Sequence, residues 1–292
     1  MPNPALNDGA FAKETRASQG AGAFTPGWGS PASELPTDVF SPGQTGAGGP
    51  VLTPPGAAET MRVSGTATAT GVLLAILCVA GWFGWQTVTV DVVRTLTDGT
   101  EVTSVTIPSW LWVAWIGGLV LAIVTVVKPP FARVTGPLYA AAQGLAVGAI
   151  SHVYEANFDG IVLQAVLLTI GVFAIMLVLF ATGTIRVTEK LRIAVVASTL
   201  AIAAVYLVSW LFSLFGGGVP YIHDAGPIGI GFSLVVVGIA SMNLLLDFDL
   251  VQRGVAMRAP RYMEWYAAFG LMVTLIWLYL EILRLLAKLN KR

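Results

Sequence analysis

The stretch "EWYAAFGLMVTLIWLYLEILRLLAKL", residues 264–289, sets the fold. It exceeds the roughly 20 mostly apolar residues that a membrane-crossing helix needs. Yet it carries Gly270, Thr274, Trp277, Glu281, Arg284 and Lys288 at alternating steps of four and three. That spacing puts all six on one face of a helix, with Leu, Ile, Val, Met and Tyr over the rest. An ionisable side chain in a spanning helix costs roughly 2.5–3.5 kcal/mol on insertion scales and normally faces a bundle interior or water. This helix is therefore expected inside a bundle, its polar stripe turned towards other helices. Glu281 and Arg284 are also spaced to pair with each other.

Outward from that helix, the chain has the composition of a polytopic membrane protein. Apolar residues make up 55% and charged residues 11%, against about a quarter charged in soluble domains. Seven runs are candidate spans: 71–90, 109–127, 136–154, 161–181, 193–215, 226–246 and 262–286. The third, rich in Gly and Ala, is the least hydropathic. The predicted fold is all-α, a seven-helix transmembrane bundle over residues 66–292 with the seventh helix central. Residues 1–65, rich in Pro, Gly, Ser and Thr, read as a disordered tail that cannot offset its ordering entropy. Sixteen basic residues balance sixteen acidic ones, so nothing points to a nucleic-acid partner; the expected surroundings are lipid. Cys78, the only cysteine, excludes an intrachain disulfide and Cys-based redox or metal chemistry, and reads as a small buried apolar residue.

Lys and Arg mark the cytoplasmic loops. Lys128 and Arg133 follow span 2, Arg186, Lys190 and Arg192 follow span 4, and Arg253, Arg258 and Arg261 follow span 6. Alternate loops hold only Arg94 beside several acids, so the N-terminal tail is expected in the cytoplasm. Arg284, Lys288, Lys291 and Arg292 break this rule if the seventh helix crosses fully; a short central helix or a re-entrant one would restore it. In the first outer loop, β-branched residues on both sides of Asp98-Gly99 predict a small β-hairpin. Ala140, Gly144 and Gly148, spaced by four, predict close helix packing, within one chain rather than between two.

Few other side chains carry chemistry. Asp247 and Asp249 close an apolar run and, two residues apart, point to nearly opposite sides of a helix. Helix phase favours Asp247 as the inward one, in line with Ser233, Ala240 and Asn243. His152 near Glu155, and His223 beside Asp224, are the only candidates for a metal on the outer side, and two imidazoles without a third strong ligand make a thin zinc site. No nucleophile elbow, P-loop or H-E-x-x-H pattern occurs, so an enzyme is not expected.

"FDLVQ" (248–252), at the end of a long apolar helix, resembles the aspartate-bearing end of the sixth helix in the transmembrane Bax inhibitor motif family. The closing stretch 264–289 resembles the seventh helix of that family's bacterial branch. The resemblance covers roughly residues 66–292. It implies six helices around a seventh in a bacterial plasma membrane. It also implies a pH-sensitive cation leak, with calcium the usual ion and no bound cofactor. In such proteins a sixth-helix aspartate pairs with a seventh-helix aspartate, and their shared proton governs opening. Asp249 matches the first, and between phase and motif we follow the motif. The second position falls on Thr274, which leaves Glu281 or Asp247 to supply another carboxylate. Arg133 matches a basic partner of the sixth-helix aspartate. Two other functions remain open: a regulator that restrains an ATP-dependent membrane protease, its tail docking the partner, and a zinc-dependent membrane hydrolase built on the two histidines.

Overall fold

A computed structural model describes residues 60–95, 101–106, 108–214 and 226–291. Among them are seven α-helices: α1 Val63–Thr87, α2 Trp110–Val127, α3 Ala132–Asn157, α4 Ile161–Ala181, α5 Glu189–Leu214, α6 Pro227–Ala256 and α7 Met263–Asn290. Two strands, β1 Thr89–Thr95 and β2 Glu101–Thr106, pair antiparallel between α1 and α2, from Thr89 opposite Thr106 to Thr95 opposite Glu101. The Asp98-Gly99 turn expected there lies outside the described residues.

α7 occupies the middle. Every residue from Met263 to Lys288 is buried or half-buried, and Tyr266, Phe269, Met272, Leu278 and Leu283 are fully enclosed. α1, α3, α4 and α6 pack on it, while α2 lies outside, against α3. The helices run alternately up and down, as cross-links at their ends show. Met61 N–H donates to the Ala259 carbonyl in the α6–α7 loop, and Thr125 near the end of α2 donates to Thr135 near the start of α3. At the opposite end His152 of α3 reaches the Trp85 carbonyl of α1.

Five helices (α1, α4, α6, α7 and residues Glu189–Ser209 of α5) are long and apolar enough to cross a membrane. The apolar part of α2, Val113–Val127, is shorter, and α3, diluted by Gly and Ala, is not among the five. This is a multi-pass membrane protein. α7 is one uninterrupted helix of 28 residues, about 42 Å at 1.5 Å per residue against a hydrocarbon core of about 30 Å. It is not a short helix, and it does not turn back on itself.

The small residues of α3 have their partner inside the chain. A Cβ at Gly148 would strike the backbone of Gly81, and one at Gly84 the backbone of Leu145. At Gly144 it would press on the Leu77 carbonyl and on Ala80. α1 and α3 thus meet backbone to backbone, which only residues without side chains permit.

Two expectations are corrected. The folded part takes in residues 60–65: Thr60 bridges to Pro260, Met61 is 2% exposed and α1 starts at Val63. Composition assigns these residues to the tail because Thr60, Arg62, Ser64 and Gly65 are not core formers; Met61 docks beside the α6–α7 loop. Cys78 is exposed rather than buried. It lies on the side of α1 away from the buried line Thr66, Ala69, Thr70, Leu73, Ala80, Gly84.

Candidate functional site

The ion pairs of the bundle gather towards its two ends. At the end where α5 and α7 begin and α6 finishes, Asp249 Oδ2 lies 2.6 Å from Arg253 Nη2 and 3.3 Å from Arg192 Nη2. Arg192 also meets Glu189, one turn earlier on α5, at 3.2 Å. Arg253 follows Asp249 by one helical turn, so that pair is local; Arg192 ties a second helix to it.

Arg133 is not the partner of Asp249. It is exposed on the first turn of α3 and makes no ion pair among the described residues. Nor does Asp249 face the bundle centre. Its side chain, 17% exposed, turns to α5, while Asp247, 2% exposed, is on the enclosed side of α6. At 100° per residue the two cannot share a side. The motif's choice of the inward carboxylate gives way to the helix phase.

Thr274 is 3% exposed and donates its hydroxyl to the Gly270 carbonyl of its own helix. It therefore presents no charge to α6. Glu281 does not replace the missing carboxylate. Asp249 sits seven residues from the end of α6 and Glu281 eighteen from the start of α7. With the helices antiparallel, the two are about 16 Å apart along the bundle.

Glu281 belongs to the opposite cluster. It is 1% exposed, and its Oε1 accepts hydrogen bonds from the Tyr206 hydroxyl and from Arg284 Nη1, both at 2.8 Å. Arg284 donates to Tyr206 at 2.7 Å and lies over that ring, 5.0 Å from its centroid. One turn further, buried Lys288 donates to the Gly229 carbonyl and the Ser233 hydroxyl of α6, each at 2.9 Å. The expected local pair of Glu281 with Arg284 exists, with α5's Tyr206 added to it.

Two of the metal candidates, His152 and Glu155, are otherwise engaged. His152 stacks on Trp85, ring centroids 4.8 Å apart, and uses Nδ1 on the Trp85 carbonyl. Glu155 accepts the Gly160 and Val162 N–H groups with its two oxygens, at 2.7 and 2.9 Å; it caps α4. Among the described residues no three His, Cys, Asp or Glu side chains gather closely enough to hold a metal. His223 and Asp224 lie outside the described residues.

The residues that sequence reasoning missed are on α5. Arg192, Thr199 and Tyr206 follow one another at intervals of seven, and each meets a polar group of α6 or α7. Thr199 Oγ1 accepts from Asn243 Nδ2 at 2.9 Å. With Val195, Ile202 and Ser209 between and beyond them, they form a repeat of alternating threes and fours. That heptad spacing was the available signal. Glu264 was missed as well: it is 6% exposed, accepts the Arg62 N–H at 2.9 Å and fills the space beside Gly65.

A family model, Bax inhibitor 1 like, matches residues 3–291. The chain belongs to the Bax inhibitor 1 like family. No curated protein and no solved structure matches it. A central striped helix, an aspartate near the end of α6 and a multi-pass layout are what the resemblance implies. The two ion clusters described above are this chain's own geometry.

Proposed function

We propose that this protein is a pH-sensitive cation leak of the Bax inhibitor type, with calcium as its ion. In this reading it crosses a bacterial plasma membrane seven times with its N-terminus in the cytoplasm. Asp249 is the side chain whose protonation opens it. The observation that carries the reading is the position of Asp249 between Arg192 of α5 and Arg253 of α6. While charged, it draws the start of α5 onto the end of α6. Once protonated, it leaves two like charges facing each other, and the contact weakens. The leak therefore rises as pH falls. Asp247, enclosed on the other side of α6, assists more weakly.

Calcium flux into vesicles holding the purified protein, measured across pH, tests this. Asp249→Asn is expected to abolish most of the pH dependence and leave flux at its low-pH level; Asp247→Asn is expected to change it less. Unaltered profiles in both variants would sink the reading. Restraint of a membrane protease would rest on the N-terminal tail, and among the described residues no feature favours it. Of the ligands the hydrolase reading names, His152 Nδ1 and both Glu155 oxygens are engaged by the Trp85 carbonyl and by the start of α4, and no described feature favours it.

A further inference from the structure

The three polar contacts of α5 form a track through the depth of the bundle. Arg192 and Tyr206 are fourteen residues apart, about 21 Å along a helix, most of the roughly 30 Å hydrocarbon thickness. At one end is Asp249 with Arg192 and Arg253. In the middle, Thr199 meets Asn243. At the other end is Glu281 with Arg284 and Tyr206. Each end thus holds a carboxylate with a guanidinium against it, and the middle is neutral and polar. Along the same seam Val195 and Ile202 are buried, whereas Ile193, Leu200 and Leu207 on the other side of α5 are exposed, as a lipid-facing surface would be.

Two other places among the described residues are closed to an ion. α1 and α3 touch backbone to backbone at Gly81, Gly84, Gly144 and Gly148, which leaves no width for an ion. The interior of α7 is closed by Tyr266, Phe269, Met272, Leu278 and Leu283, none of which carries a charge.

We propose that cations cross along the seam between α5 and the α6–α7 hairpin, admitted where Asp249 loses its charge and bound at the other end by the carboxylate of Glu281. This rests on the leak reading and names its route. At rest Arg284 occupies the cation position at Glu281: a guanidinium and a metal cation seek the same carboxylate oxygens. Glu281 has an oxygen to offer, since Oε2 is buried and accepts no hydrogen bond, while Oε1 holds both Arg284 and Tyr206. Opening is a separation of α5 from α6. Beside the buried Val195 and Ile202, that interface carries polar pairs at three levels, which water and ions can replace.

The test uses the full chain with Cys78→Ser, reconstituted in vesicles. Thr199→Cys is expected to react with a small cationic thiosulfonate, under conducting conditions, at least tenfold faster than Leu200→Cys on the lipid side. Thr199→Cys with Asn243→Cys, joined by a bifunctional thiosulfonate that reductant cleaves, is expected to lose at least tenfold in calcium flux. Reduction of the same vesicles should restore it, so a folding defect cannot mimic the result. Undiminished flux through the joined protein would overturn this route and leave the leak standing. Equal reactivity at positions 199 and 200 would make the seam dry and overturn it too. Absence of flux from the Cys78→Ser parent at every pH would instead defeat the leak itself, and the route with it.

Discussion

Glu281 and Arg284 show what a membrane interior asks of a charge. A carboxylate at 1% exposure is tolerable because a guanidinium and a phenol both point at the same oxygen. Removing one member strands the other. Breaking a buried pair this way costs about 3–5 kcal/mol, whereas replacing both members by apolar residues is often neutral. Arg284→Met is therefore expected to lower stability in detergent by roughly that amount. The double change Glu281→Met with Arg284→Met should be less destabilised than Arg284→Met alone. Chemical denaturation of the purified variants measures it, and a double variant weaker than both singles would show that the pair itself stabilises the fold. Lys288 answers the same demand differently, by spending its donors on the Gly229 carbonyl and Ser233 of α6.

Between elements, small residues decide which helices touch. Gly148 faces the Gly81 backbone with no room for a methyl group, while Gly171 in α4 faces open space. Gly148→Ala must push α1 and α3 apart, at a cost of about 1–3 kcal/mol. Gly171→Ala should be neutral or stabilising by up to about 1 kcal/mol, because Ala is the better helix former. Thermal unfolding in detergent should separate the two substitutions by several degrees; equal midpoints would mean the α1–α3 contact is looser than described. The same contact marks how far sequence can be read. The stripe Ala140, Gly144, Gly148 is legible because its spacing is local, and so is the polar stripe of α7, whose residues need only be counted by threes and fours. What each stripe packs against is not local. Gly81 is a plain glycine until α1 lies on α3. Arg192 is separated from Asp249 by 57 residues and reads in sequence as one more basic residue of a cytoplasmic loop. Arg133, equally basic and equally near a helix end, was favoured for Asp249 by family likeness. Only the packing of α5 on α6 separates them. Asp247 and Asp249 illustrate the converse: their opposite directions follow from helix geometry alone, and there the phase was the better guide.

At the scale of the whole molecule, the distribution of charge and the course of α7 bear on one question, the side on which the chain ends. Lys128, Arg186, Lys190, Arg258 and Arg261 all flank the end at which α7 begins, and positive charge near short loops is held in the cytoplasm. Arg284, Lys288 and Lys291 at the far end of α7 oppose this, but they are not equivalent. Arg284 is neutralised by Glu281, and Lys288 is buried against α6. These two are folded into the bundle rather than left as a hydrated basic segment, which lowers the count that opposes an outer terminus. A helix of 28 residues, about 42 Å long, is also long enough to reach past both faces of a hydrocarbon core of about 30 Å. We therefore expect Lys291 on the outer side. With Cys78→Ser as parent, Lys291→Cys and Asp98→Cys should react with an impermeant maleimide on intact cells. Pro130→Cys and Thr188→Cys should react only after the membrane is opened. Labelling of positions 291 and 188 from the same side would mean that α7 does not cross the membrane. Tyr206, Glu281 and Arg284 would then be a mid-membrane cluster rather than one end of a track, and a route along α5 would have no outer mouth.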